Sequence, residues 1–341
     1  MSETLRHNPL NAVTETVERV SYTDGRTAVR KVLRKPTTST GPWAASDDPR
    51  HWNYWRREVE VYRDDELRKQ LAAAGLVLPE AEVVDLPDEA GEPRAVLMME
   101  DIQGTPGTEL TLAGHAALAR AVGRWQGRPP THRPWTSIGF LRDYSTTRDV
   151  PMDLADDDAA WQQPLVADTW PDRLREGWRH LLAHRNELLE LTERLPRARC
   201  HLDLWVSNVI QRPTGELALL DWAFMGDGAL GEDIGNHIPD AVFDLFWPAE
   251  RLPELAETCI DNYLEGLREA GWRGEPDLVR LAVMASGVKY AWLLPRLLAT
   301  ASDASHNAYH QQADSHHLFQ QRGQALAFVA DWCAEALKAR R

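Results

Sequence analysis

Three oxygen-bearing side chains, Asp203, Asn208 and Asp221, fall within one short stretch, HLDLWVSNVIQRPTGELALLD (residues 201–221). The apolar runs NVIQ and LALLD flank RPTGE, a turn signature with Pro and Gly, and read as a β-hairpin. Folding the hairpin back brings Asn208, at the start of one strand, beside Asp221, at the end of the other. A carboxamide and a carboxylate meeting there suit a hard cation such as Mg²⁺, which takes one or two carboxylates together with phosphate oxygens and water. Asp203 lies five residues before Asn208, in the loop leading into the hairpin, where it is placed to orient and deprotonate a hydroxyl. Burying an unpaired carboxylate among apolar neighbours is costly. The competing reading is a loop whose Asp and Asn bond to their own backbone.

An Asp, an Asn five residues on, a hairpin, and then an Asp followed by an aromatic form a pattern that resembles the protein-kinase-like phosphotransferases. The form here, HLDLWVSNVI…LALLDWAFMG…GEDIGN, is similar to the aminoglycoside phosphotransferase and choline kinase family. The motif likeness covers roughly residues 195–240, and the order of lobes extends it over the whole chain. The resemblance implies an α+β, two-lobed protein-kinase-like fold. A small N-terminal β-rich lobe with one long helix (1–100) would bind nucleotide, and a larger, mainly helical C-terminal lobe (101–341) would carry catalysis and the acceptor. The hinge falls at about 98–104. ATP (or GTP) and Mg are the cofactors so implied.

Carried over residue by residue, the resemblance makes Asp203 the catalytic aspartate and Asn208 and Asp221 the metal ligands. His201 matches the histidine that holds the loop by hydrogen bonds, and Asp233 matches a downstream acid expected to be structural, capping a helix or tying down the loop. The nucleotide-binding lysine is expected at Lys31 in TAVRKVL, where period two sets Val29 and Leu33 on its face of a strand. Its acidic partner is expected at Glu58, three residues from Trp55 and four from Tyr62 and hence on their helix face, with Glu60 as the second choice. Met99, Glu100 and Asp101 would form the hinge against the adenine. The chain also departs from the family pattern. Gly25 is the lone glycine of the expected phosphate loop, Leu202 stands where the family has Gly, and Trp205 replaces a histidine common in aminoglycoside enzymes.

The elements that must position these residues are legible in outline. Two strands surround a turn at Asp24–Gly25 within 17–33, a helix is expected from Trp52 to Ala74 with Gly75 ending it, and LPEAEVVDL and RAVLMMEDI read as strands around the turn PDEAGEP. Helices are expected over 111–126, 170–195, 252–270, 276–299 and 315–338, whereas 129–169 follows no clear period.

Composition narrows the partners. The 341 residues are 43% hydrophobic and 26% charged, as in ordinary globular proteins. A net charge of −14 argues against broad neutralisation of a nucleic acid backbone. Residues 201–261 hold twelve Asp or Glu against Arg212 and Arg251, which points either to a solvated acidic surface or to a cleft that attracts a cationic acceptor. There is no run of about 18 apolar residues, so no membrane partner is expected. The first residues lack the pattern of a signal peptide, and Cys200, Cys259 and Cys333 form no CxxC pair, which suits a reduced, cytoplasmic protein. Fourteen tryptophans raise an aromatic cage for a quaternary ammonium, with Trp247, Trp272 and Trp292 as pocket candidates, against the plainer reading of core residues. His306, His310, His316 and His317 match no zinc spacing and read as a polar loop.

The expected function is transfer of the γ-phosphate of ATP, with Mg, to a hydroxyl of a small cationic molecule or of a peptide Ser/Thr. Two alternatives stand beside it: a kinase acting on a ribosomally made precursor peptide before a partner lyase eliminates the phosphate, and a pseudokinase serving as a binding or scaffold protein.

Overall fold

Alternating, β-branched-rich runs build the N-terminal sheet of this computed structural model, which describes residues 2–5, 7–8, 11–36, 40–89, 92–309 and 311–340. Strands β1 (Ser2–Thr4), β2 (Thr14–Ser21) and β3 (Thr27–Arg34) are followed by helices α1 (Arg57–Tyr62) and α2 (Asp65–Ala72), then by β4 (Leu76–Val77), β5 (Ala81–Glu89) and β6 (Glu92–Glu100). The antiparallel sheet runs β1-β2-β3-β6-β5. Lys31 stands opposite Val17 on one side and Leu97 on the other, so it occupies a central strand. Gly25 takes φ +84° in the β2–β3 turn, a conformation that a side chain would strain. The expected turn at 87–93 and the loop after β3 include residues 90–91 and 37–39, which lie outside the described residues.

One correction concerns the long helix expected from Trp52 to Ala74. The chain makes turns up to Arg56 and then two short helices, because Asp64 breaks the run. Its backbone is extended (ψ 90°) and its carboxylate accepts the N–H groups of Glu66 and Leu67, capping α2. A second correction divides the helix expected at 170–195 into Arg173–Ala183 and Arg185–Arg194, with His184 leaving helical geometry between them. A third divides 276–299 into Pro276–Ala285, a 3₁₀ turn at Ser286–Tyr290, and Leu293–Thr300. By length and mean hydropathy (1.2), Pro276–Thr300 is apolar enough to cross a membrane, but 72% of its apolar window is buried inside this protein, as in a core element.

The expected hairpin is present. Strands β7 (Thr105–Pro106), β8 (Arg197–Cys200), β9 (Val209–Gln211), β10 (Leu217–Leu219) and β11 (Gly226–Ala229) follow, and β9 pairs with β10 so that Leu219 faces Val209. This hairpin sits inside a sheet ordered β4-β10-β9-β7, with β4 parallel to β10. Segments from both sides of residue 100 therefore share one small sheet, which fixes the hairpin against the N-terminal part. Helix α3 (Leu112–Gln126), capped by Thr111, packs along Leu252–Glu269. The approach is close enough that a Cβ on Gly123 would lie 2.3 Å from the Tyr263 carbonyl. Residues 129–169 fold into loops and short helices such as Phe140–Tyr144 and Pro164–Thr169. The final helix, Ser315–Ala339, is capped by Asp314.

Candidate active site

Between the five-stranded sheet and the helical part lies a cleft of about 940 Å³, lined by Lys31, Glu58, Met99, Glu100, Asp101, Asp203, Asn208 and Asp221 among others. His201 and Asp233 sit behind it, fully buried. Each sequence-derived site residue therefore falls at or directly beneath one surface.

The loop 201–208 is held from below. Asp233, at the start of helix Glu232–Phe243, accepts the backbone N–H groups of His201 (2.8 Å) and Leu202 (2.7 Å), and Gln126 donates to it at 2.6 Å. Tyr263 in turn donates to Gln126 at 2.6 Å. The His201 ring completes the frame: Nδ1 accepts the Asp203 N–H at 3.3 Å and Nε2 donates to the Leu220 carbonyl at 3.0 Å. That pattern requires a neutral ring, and burial lowers the His201 pKa accordingly. The ring also lies 4.5 Å from that of Trp222, whose indole N–H bonds to Leu219. The two segments that carry Asp203 and Asp221 are thus tied together through one imidazole.

Leu202 occupies a left-handed conformation (φ 66°), a strain of about 1–3 kcal/mol for a non-glycine residue. Two features offset it. The Asp233 carboxylate fixes its N–H, and its side chain, fully buried, fills space over two glycines of β11. A Cβ on Gly226 would lie 2.8 Å from one Leu202 methyl carbon, and one on Gly228 would lie 3.0 Å from the other. The side chain at Leu202 is therefore accommodated by the lack of side chains at Gly226 and Gly228.

Asn208 donates through Nδ2 to the Asp203 carbonyl (3.0 Å) and carboxylate (3.1 Å). Its carbonyl accepts the Leu220 N–H at 2.8 Å, which sets it beside Asp221. Burial pushes the Asp203 carboxyl up to about 7, opposed by Lys289 and reinforced by Asp221 and Asp240. Asp221, with φ 56°, remains 44% exposed and opens on the cleft.

Lys31 carries two carboxylates, with Glu58 at 2.7 Å and Asp221 at 2.9 Å. Burial opposes its charge, but Asp221 and Glu58 more than compensate and its pKa is raised. Glu58 is pushed up by burial against the pull of Lys31, while Asp221, despite burial, is held low by Lys31. Glu60, the second choice, lies near Arg56 instead. At the hinge, Met99 pairs with Val29 in the sheet, and both line the cleft. Glu100 accepts from Arg212 at 2.6 Å and Asp101 from Arg19 at 2.9 Å, so both acids line the cleft already engaged in ion pairs.

The donor set fits a hard divalent cation. Asn208 turns Nδ2 to Asp203, which leaves its amide oxygen for the cleft, next to the half-open Asp221 carboxylate. Among the described residues there is no group of three or more His, Cys, Asp or Glu able to hold a metal ion. These two oxygens match a cation that completes its shell with phosphate and water. His306 is instead bonded to Ser315 and Thr300, and His310 lies outside the described residues.

Sequence reasoning missed the opposite wall of the cleft: Lys289, Arg148, Trp43, Tyr144 and Tyr290, with Trp292 the one candidate there that it had named. The signal for Lys289 was present, a lone charge in the apolar run LAVMASGVKYAWLL. Arg148 had none, since it lies in 129–169. Only Asp203, Asp221, Asp240 and Asp244 of the acidic run 201–261 line the cleft. Glu216, Asp227, Glu254 and Asp261 pair with arginines on the surface, and Glu232 and Asp233 are buried beneath the loop. The run is therefore divided between the cleft, the surface and the support beneath the loop.

Comparison with known proteins places the chain among relatives. The model of the phosphotransferase enzyme family matches residues 20–274. Among solved structures, the chain is similar to amicoumacin kinase hAmiN in complex with AMP-PNP and Ca²⁺, at 13% identity and a TM-score of 0.54 over 97% of this chain and 88% of that one. It is also similar to a choline/ethanolamine kinase family protein from Mesorhizobium loti (15%, TM-score 0.51, covering 99% and 92%). A choline kinase from Cryptosporidium parvum gives 13% and 0.50, covering 99% and 91%. At these identities the likeness is one of fold. No curated protein sequence matches significantly.

Proposed function

We propose, from the premise that this chain belongs to the phosphotransferase enzyme family, that it transfers the γ-phosphate of ATP to a hydroxyl of a small molecule with the help of Mg²⁺. The observation that carries this reading is Asp203. It is a largely enclosed carboxylate with a pKa raised to about 7, held by Asn208 and lining the same cleft as Lys31, which lies between Glu58 and Asp221. A cleft of about 940 Å³ has room for a nucleotide and a small acceptor.

In this reading Lys31 binds the α- and β-phosphates, and Glu58 keeps its ammonium aimed at them. The apolar surface of Val29, Met99 and Ile210 takes the base. Asn208 and Asp221 hold Mg²⁺, which when bound neutralises phosphate charge and helps align the nucleotide. Asp203 orients the acceptor hydroxyl toward the γ-phosphorus. As the acceptor oxygen bonds to that phosphorus, the bond to the β-phosphate bridging oxygen breaks, the hydroxyl proton passes to Asp203, and ADP leaves. All three cysteines are buried free thiols, which supports work in a reducing compartment such as the cytoplasm.

The test is a Mg²⁺-dependent thermal shift with ATP, with GTP alongside, followed by nucleotide turnover in wild type and Asp203→Ala. Stabilisation that requires the metal, with turnover lost in the variant, is the expected result. Equal turnover in both proteins would sink the assignment of Asp203.

A further inference from the structure

Arg57, the first residue of α1, is fully buried, and among the described residues no carboxylate lies within ion-pair distance of it. Five backbone carbonyls surround its guanidinium instead. Nε donates to Trp135 at 3.0 Å, Nη1 to Trp52 at 2.7 Å and to Ala223 at 3.2 Å, and Nη2 to Pro49 at 2.9 Å and to His51 at 2.7 Å. A guanidinium has five N–H donors, so every one is used. Burial pushes its pKa down to about 9, which still leaves it charged at neutral pH. A lysine could not reproduce the set, because its three N–H groups radiate from one atom.

The five acceptors come from three segments. Pro49, His51 and Trp52 lead into α1, Trp135 follows α3, and Ala223 lies two residues past Asp221. These segments also bond to one another: Ile138 N–H donates to the Arg50 carbonyl at 3.1 Å, and Ser137 Oγ to the Phe224 carbonyl at 2.9 Å. Arg57 is the guanidinium at the centre of that seam. Its position in the chain gives the seam a bearing on the cleft, since the next residue, Glu58, holds Lys31 at 2.7 Å.

Asp221 needs such support. Its φ of 56° is a left-handed conformation, which a non-glycine residue keeps only where its surroundings over-determine it. On its N-terminal side, the Leu220 carbonyl is held by His201 and the Leu220 N–H by Asn208. On its C-terminal side, the Ala223 carbonyl is held by Arg57.

Resting on the phosphotransfer reading above, we propose that Arg57 is a positioning residue for the metal site, fixing the turn after Asp221 so that its carboxylate stays aimed into the cleft beside Asn208. Arg57 does not itself line the cleft. It acts through the Ala223 carbonyl, and it references both carboxylates that flank Lys31 to one anchor. Its loss therefore falls on the metal-assisted part of nucleotide binding.

The full chain and Arg57→Lys are titrated calorimetrically with AMP-PNP, without metal and at saturating Mg²⁺. The variant keeps the charge and loses the fork of donors. Its metal-free affinity should stay within about threefold of wild type, while the tightening produced by Mg²⁺ shrinks at least about tenfold. Leu181→Ala, at a fully buried position of helix Arg173–Ala183, controls for lost stability alone, which urea unfolding reads in both variants. It should keep the full effect of Mg²⁺. An undiminished Mg²⁺ effect in Arg57→Lys, or an equal loss in Leu181→Ala, overturns the proposal. Hydrogen exchange on the wild type tests the clamp even if Arg57→Lys does not fold: the amides of 222–225 should exchange more slowly than those of the exposed turn 214–216. Equal exchange overturns the proposal as well. Wild-type binding of AMP-PNP that Mg²⁺ does not tighten overturns it while nucleotide binding stands. Failure of the wild type to bind AMP-PNP under either condition overturns the phosphotransfer reading itself, and with it this one.

Discussion

Two lysines are buried in the same cleft, each 5% exposed, and they are stabilised in opposite ways. Lys31 lies on a central strand between two carboxylates, at 2.7 and 2.9 Å. Lys289 lies on a tight turn between two aromatic rings, with no ion pair among the described residues. The first arrangement is complete without a ligand. On the phosphotransfer reading, its Asp221 bond is the one that loosens when phosphate and metal enter, while Glu58 holds the ammonium in place. The second is balanced at longer range, where Asp240 and Asp203 raise the Lys289 pKa against the cost of burial. One side of the cleft thus holds its lysine by direct ion pairs, and the other by aromatic rings and more distant carboxylates.

The largest expected effect tests the point where the two sides meet. Asp203→Asn keeps shape and volume but removes the proton acceptor, so turnover of ATP with an accepted substrate should fall by about 10²–10⁴. Nucleotide binding by thermal shift should persist. Retained turnover would show that the reaction needs no base at this position.

Lys31→Met should be the costlier of the two lysine changes in stability. It leaves Glu58, 2% exposed, and Asp221 without their cation, and breaking a buried ion pair costs about 3–5 kcal/mol. Urea unfolding reads this directly. Adding Glu58→Gln to the variant should recover part of the loss, since the buried charge is then gone. Lys289→Met strands no paired carboxylate, so its cost should be near 1 kcal/mol, the scale of the cation–π contacts removed. Equal losses for the two lysines would break the comparison.

The smallest effect at neutral pH comes from a third way of burying a titratable group. His115 and His237 bond to each other at 2.9 Å within the core. Burial, with the neighbouring ring, lowers His115 to about 3, and burial lowers His237 to about 4. Both folded values lie below the ordinary 6.5, so the unfolded chain takes up protons first as pH falls. Their contribution to stability is fully present above pH 6.5 and is lost on acidification, by about 1 kcal/mol per histidine one unit lower. The urea midpoint measured against pH should decline from 6.5 downward, and less steeply in a His115→Gln variant.

How much of this was legible follows the separation along the chain. The hairpin and the N-terminal strands rest on contacts between near neighbours, and their patterns are readable. The helix expected across Trp52–Ala74 misled because apolar spacing continues through Asp64, whose capping role outweighs the period. The division of 276–299 was hidden for a related reason. An apolar run carries no mark of where a helix tightens into the 3₁₀ turn that aims Lys289.

The sequence by itself determined that Asp203, Asn208 and Asp221 would meet, because a short hairpin closes their separation whatever surrounds it. It also marked Lys31 and Glu58 as residues whose charge sat on an apolar face. Only the tertiary structure decided that Lys31 reaches Asp221 across 190 residues, that Leu202 fits over Gly226 and Gly228, and that Arg148 fills an aromatic cage built from distant segments. Those outcomes depend on which surfaces the packed lobes bring within a few ångströms, and side-chain spacing along one segment carries no information about that.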